Sequence, residues 1–197
     1  MGSVKTRREQ YAESTRRALL DTGLRFFAER GHTDVSAEEL VRAAGLTRGA
    51  LYHHFNGKKG LFEAVFEELE DRAAQRIATA MDTAADPWSR ALAGLEAFLD
   101  VCGDRDYREI VLIQGPVALG WQRWRELDQR HLGGLLLRSL CELREERLIG
   151  SHPVELAAGA VYGALTELSF AIAASNDPAK ARDAAVPLVR GLLQSLR

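Results

Sequence analysis

A chain of 197 residues that is 46% hydrophobic and 27% charged can fill the core of one or two folded domains, which excludes a disordered or fibrous protein. Its two cysteines, Cys102 and Cys141, have no CxxC spacing, which argues against a disulfide scaffold and for a reducing, cytoplasmic setting. The net charge of −2 excludes a uniformly basic protein, yet residues 1–60 hold 11 Lys+Arg against 7 Asp+Glu, leaving a basic head on an acidic body.

The opening MGSVKTRREQ lacks the apolar run of a secretory signal and reads as a basic arm, with Lys5, Arg7 and Arg8 available to a polyanion. From Thr15, apolar pairs recur at helical period (Leu19/Leu20, Gly23/Leu24, Phe26/Phe27) until Gly31 stops the helix. Ser36 starts a second helix, and Glu39 three residues on completes a capping box. Gly45 ends it, Thr47 caps a short third helix, and NGKKG closes that one. A long amphipathic helix follows over 58–81, with Leu61, Val65, Leu69, Ala73 and Ile77 on one face. Further helices are predicted at 87–102, 105–114, 117–148, 153–174 and 178–196, with a break at Gly115-Pro116, a kink at Gly133-Gly134 and a kink or restart at Pro187. No strand pattern competes, so the fold class is all-α with about nine helices.

The stretch 156–174 is almost long enough to span a bilayer, but it is rich in Gly and Ala and carries Glu167 centrally. A helix buried on most of its faces is the better reading, with no membrane partner.

The helix, tight glycine turn and short helix at 36–54 have the layout of a helix-turn-helix, in which the second helix lies in the major groove of DNA. Leu40, Leu46, Leu51 and Phe55 can point inward, leaving Thr47, Arg48, Tyr52 and His53 outward. Hydroxyl, guanidinium and imidazole donors beside a helix N-terminus suit phosphate oxygens. Adjacent histidines point about 100° apart on a helix and lack a third ligand, so no metal site is expected there. An exposed short helix has no pocket for acid–base catalysis either, so the sequence points to neither an enzyme nor a cofactor.

The stretch from Phe26 to Leu69, with its F-x-E-R-G helix end, AAGL turn, LYHHF and the L-F-E-A-V opening of the fourth helix, resembles the N-terminal domain of the TetR family of bacterial transcriptional repressors. Val41 departs from it, standing where the family usually has a smaller residue. The resemblance implies a DNA-binding head over 1–57 and a helical ligand-binding and dimerisation body over 58–197, joined by the helix at 58–81. By position it implies base or nearby phosphate contacts at Thr47, Arg48 and Gly49. Backbone contacts are implied at Tyr52, His53, His54 and Lys58, and at Ser36 and Ala37, with Arg42 a further candidate. The implied partners are a pseudo-palindromic double-stranded operator, a partly hydrophobic small-molecule effector and a second copy of the chain. An activator of the same fold and an all-helical protein-interaction module are the alternatives.

For the effector, position and residue type nominate Phe98, Cys102, Leu119, Trp121, Trp124, Tyr162 and Thr166. For the dimer, small residues at Gly159, Ala160, Gly163 and Ala164 would let helices approach. A stripe of Leu188, Val189, Leu192, Leu193 and Leu196 would complete a four-helix interface.

Overall fold

The computed structural model describes residues 6–197; Lys5 of the basic arm lies outside them. Nine helices and no strand make up the described residues. Helix α1 is Arg7–Arg30, α2 Ala37–Ala43, α3 Arg48–Phe55, α4 Lys58–Asp82 and α5 Pro87–Gly103. Helix α6 passes from Arg105–Tyr107 through a π-helical stretch, Arg108–Gln114, into Gly115–Ala118. Helix α7 likewise joins Trp121–Asp128, a π stretch Gln129–Gly133 and Gly134–Glu145; α8 is Val154–Ala173 and α9 Pro178–Gln194.

Local signals start and stop the head helices. Thr6 caps α1 in a full capping box with Glu9, so Arg7 and Arg8 form its first turn rather than a loose arm. Ser36 and Glu39 make the second capping box, and Thr47 accepts from the Ala50 amide to cap α3. Between α2 and α3, Gly45 takes a φ of 67°, where a side chain would be strained, and the Leu46 amide closes back onto the Val41 carbonyl at 2.8 Å. Leu19, Phe27, Leu40, Leu51, Leu61 and Phe62 are fully buried and hold these helices against the start of α4. Each such side chain contributes about 1.5–3 kcal/mol by leaving water.

One helix break differs from expectation. The helix passes through Gly115-Pro116 and breaks instead at Gly120, whose φ is 90°. The cause lies in the π stretch before the proline. In that wider register the Val111 carbonyl faces position 116, which has no N–H; the Trp124 indole N–H donates to it instead, at 2.8 Å. At Gly133-Gly134 the helix ends a second π stretch without interruption, and α9 likewise continues past Pro187. Helix α8 buries about half of its apolar length, not most of its faces: Leu156, Gly159, Ala160 and Glu167 are exposed.

Candidate nucleic-acid interface and ligand cavity

Helix α3 stands out from the head on Leu51 and Phe55, both buried. Thr47, Arg48, Gly49, Tyr52 and His53 are all exposed along it, with Ser36 and Arg42 exposed on the preceding elements and Ala37 half-buried. The Arg48 guanidinium lies 5.5 Å from the Tyr52 ring centre and 2.9 Å from the Glu38 carboxylate, and these contacts favour its charged form. Arg48 is therefore held across the face by Tyr52 and the Glu38 carboxylate. Arg42 and Lys59 are exposed and form no ion pair among the described residues.

Three of the expected contacts sit differently. Lys58 turns inward: its ammonium donates to the His32 and Val35 carbonyls at 2.7 and 2.8 Å. It pins the loop between α1 and α2 and has one N–H left to offer. The Ser36 hydroxyl is engaged in its capping box, accepting from the Glu39 amide and donating to the Glu39 carboxylate. The Ser36 amide and hydroxyl, both donating to the Glu39 carboxylate, and Arg30 draw that carboxyl down to about 2. His54 is half-buried, its ring 5.0 Å from that of His53 and 6.3 Å from that of Phe55. Burial, then the neighbouring His53 and Arg16, lowers its pKa.

Behind the head, Gln114 on α6 reaches back to the end of α1. Its side-chain amide donates to the Phe27 carbonyl at 2.9 Å and its oxygen accepts from the His32 amide at 2.8 Å. The His32 ring packs edge-on to Phe62, 4.9 Å between centres, and burial lowers its pKa. The sequence reading missed Gln114, which carries no motif and lies 82 residues beyond His32.

The body encloses a cavity with about 60 Å³ open to the centres of water-sized molecules. Phe98, Trp124, Tyr162 and Thr166 line it as expected; Cys102, Leu119 and Trp121 do not. Cys102 is fully buried in the core beside it, and burial pushes its thiol well up. Leu119 is buried elsewhere, and Trp121 stacks at 5.0 Å on Trp124 with half its surface exposed. Leu193, expected in the dimer stripe, is buried and lines the cavity instead, because its side of α9 faces α5 and α8. Ile77, Met81, Leu132, Leu136 and Ser139 line it too, and so does Asp128, which the Tyr162 hydroxyl hydrogen-bonds. Among the described residues no cluster of three or more His, Cys, Asp or Glu could hold a metal ion.

Comparison with known proteins follows this division. Residues 19–65 match the profile of bacterial regulatory proteins of the tetR family, and residues 88–196 that of the tetracyclin repressor-like C-terminal domain. The chain belongs to the TetR family. A TetR-family transcriptional regulator from Pectobacterium atrosepticum is 33% identical and superposes with a TM-score of 0.84, over 98% of this chain and 97% of that one. The Transposon Tn10 TetC protein of Escherichia coli is 23% identical over 98% of both chains. The regulator AcrR of Shigella flexneri is 41% identical, but over only 34% of this chain and 31% of its own. The TetR family consists of DNA-binding transcriptional regulators, many of them ligand-responsive repressors, and this chain is one such regulator.

Proposed function

We propose that this TetR-family regulator is a cytoplasmic repressor that binds a pseudo-palindromic operator as a homodimer and releases it when a partly hydrophobic small molecule fills the body cavity. The head, residues 1–57, does the reading, and the body, 58–197, binds the effector and the second copy. The observation that carries the reading is the Gln114 bridge. It ties the π stretch of α6, which Trp124 hydrogen-bonds from the cavity wall, to the end of the helix on which the reading face packs. A molecule that moves Trp124 moves that bridge, and coupling of about 1–3 kcal/mol changes operator affinity about 5–150-fold.

In the head, Thr47, Arg48 and Gly49 read base edges, while Tyr52, His53, Arg42 and the exposed Lys59 hold phosphates. The two recognition helices of a dimer would sit about 34–36 Å apart, or a multiple of that, along the DNA. The surface supports a dimer through α8 and α9, which pack on each other and leave Leu156, Gly159, Ala160 and Leu188 exposed. Gly163 faces open space, where a second backbone can approach closely.

Gel shifts with DNA from upstream of the chain's own coding sequence test this. A discrete shift that survives competitor DNA is expected, and small hydrophobic molecules that quench Trp124 should reverse it. No shift even at low salt would instead favour a protein-interaction module.

A further inference from the structure

Resting on the reading of the cavity as an effector site, we infer that the effector is a lipophilic organic cation, its protonated amine paired with Asp128 and its apolar part held among Phe98, Trp124 and Leu136. Asp128 lies where α7 widens into its π stretch and is only 5% exposed. One carboxylate oxygen, Oδ2, accepts from Tyr162. The other, Oδ1, accepts no hydrogen bond from any described residue, although its side chain lines the cavity. Ser139, 8% exposed across the same space, also leaves its hydroxyl without a described partner.

A second acidic side chain, Glu70 on α4, is fully buried, 3.4 Å from the Tyr107 hydroxyl, and burial pushes its carboxyl well up. No Lys, Arg or His among the described residues forms an ion pair with Asp128 or Glu70. Arg125 stands over the Tyr162 ring at 5.7 Å, and His131 is bonded to Asp71 at 2.9 Å. A buried carboxylate is stable as an anion only with a partner; here Tyr162 gives Asp128 one hydrogen bond, and Arg125 and His131 act on it from a distance without forming an ion pair. The walls are otherwise apolar, and the faces of Phe98, Trp124 and Tyr162 favour a cation over a neutral group. An anionic ligand would meet the Asp128 carboxylate in the cavity wall.

The test uses the full chain and three probes with one skeleton: 4-phenylbutylamine, 4-phenylbutanol and 4-phenylbutyrate, titrated at pH 7.5 by calorimetry and by tryptophan fluorescence. The amine should bind at least tenfold more tightly than the alcohol, and the carboxylate most weakly. Asp128→Asn should bring the amine-to-alcohol ratio close to one, whereas Tyr162→Phe, which keeps the charge, should preserve the preference. The preference should also fade below pH 6. Burial holds the Asp128 carboxyl up at about 6 among Glu70 on α4, Cys102 on α5, Tyr107 on α6, Arg125 and His131 on α7, and Tyr162 on α8. No binding of the amine at millimolar concentration, equal binding of alcohol and amine, or a preference untouched in Asp128→Asn each overturns the inference. A gel shift read in parallel separates the two readings. Amine that binds with the predicted preference but leaves DNA bound keeps the ligand class and defeats the effector role.

Discussion

Adjacent lysines at the start of α4 carry different work. Lys58 spends two of its three N–H donors on the His32 and Val35 carbonyls, whereas Lys59 is exposed and forms no ion pair among the described residues. Lys58→Ala should therefore cost stability, about 1–3 kcal/mol for two carbonyls left without their charged donor, and should appear as a lowered melting temperature. Lys59→Ala should leave melting unchanged but reduce the slope of log affinity against log salt by about one phosphate contact. If Lys58→Ala melted normally and lost a salt-dependent contact, it would be the phosphate anchor that its sequence position implied. Asp128 gives a pH prediction of opposite character. Its folded value of about 6 lies above the ordinary 3.8, chiefly through burial, so its contribution to stability is whole below about pH 3.8 and is lost as pH rises through about 6. Glu70 beside it is raised by the same cause and acts in the same direction. Asp128→Asn keeps an acceptor for Tyr162 without the buried charge. It should stabilise the chain by about 2–3 kcal/mol at pH 8 and by little at pH 3.5. Equal melting gains at both pH values would mean that the carboxylate is not charged in the folded chain.

Among the helices, α6 shows what local sequence does and does not announce. Ser36, Gly45 and Thr47 act through hydrogen bonds to residues three to five positions away, so the boundaries of α2 and α3 could be read directly. The outward set on α3 followed from helical period alone, because Leu51 and Phe55 fix its buried side. A π stretch differs from an α-helix by less than one residue per turn, which seven residues of apolar pattern cannot resolve. Gly115-Pro116 therefore looked like a break. The distant partner that makes the stretch tolerable, the Trp124 indole, exists only once α7 has folded back on α6. Asp128 was hidden for a similar reason. In WQRWRELDQRH it is one charge among several, and the fold alone brings Tyr162 to it from 34 residues further on. The glycine at 115 serves this same contact. A Cβ there would lie 2.7 Å from Trp124 Cδ1 and 3.1 Å from Phe66. Gly115→Ala should thus cost about 1–3 kcal/mol and shift tryptophan emission as Trp124 is displaced. An unshifted spectrum with normal melting would show that α6 yields there at no cost.

At the scale of the molecule, the basic head and acidic body meet through α4 and where α1 packs on α6, a contact that Gln114 hydrogen-bonds. Helix α4 is packed at both ends, by Leu61 and Phe62 in the head and by Ala73 and Ile77 in the body, and on the proposed reading it carries tilt between them. Gln114 adds a second attachment off the axis of α4, and two attachments turn a tilt of the body into a rotation of α1 and the reading face. The route from the cavity is short: Trp124 lines it, bonds Val111 and presses on Gly115, and Gln114 is the residue between those two positions and the head. Removing the bridge should uncouple the two functions rather than abolish either. In Gln114→Leu the side chain keeps similar bulk but leaves the Phe27 carbonyl and the His32 amide without that partner. Effector affinity for the free protein should change less than twofold, and operator affinity without effector should fall modestly as α1 loosens. The ratio of operator affinities without and with effector should drop by about tenfold, the equivalent of about 1.4 kcal/mol of lost coupling. Anisotropy titrations of labelled operator, at zero and at saturating effector, give that ratio for both proteins. A Gln114→Leu protein that still releases DNA over the full wild-type range would leave α4 as the sole carrier of the signal.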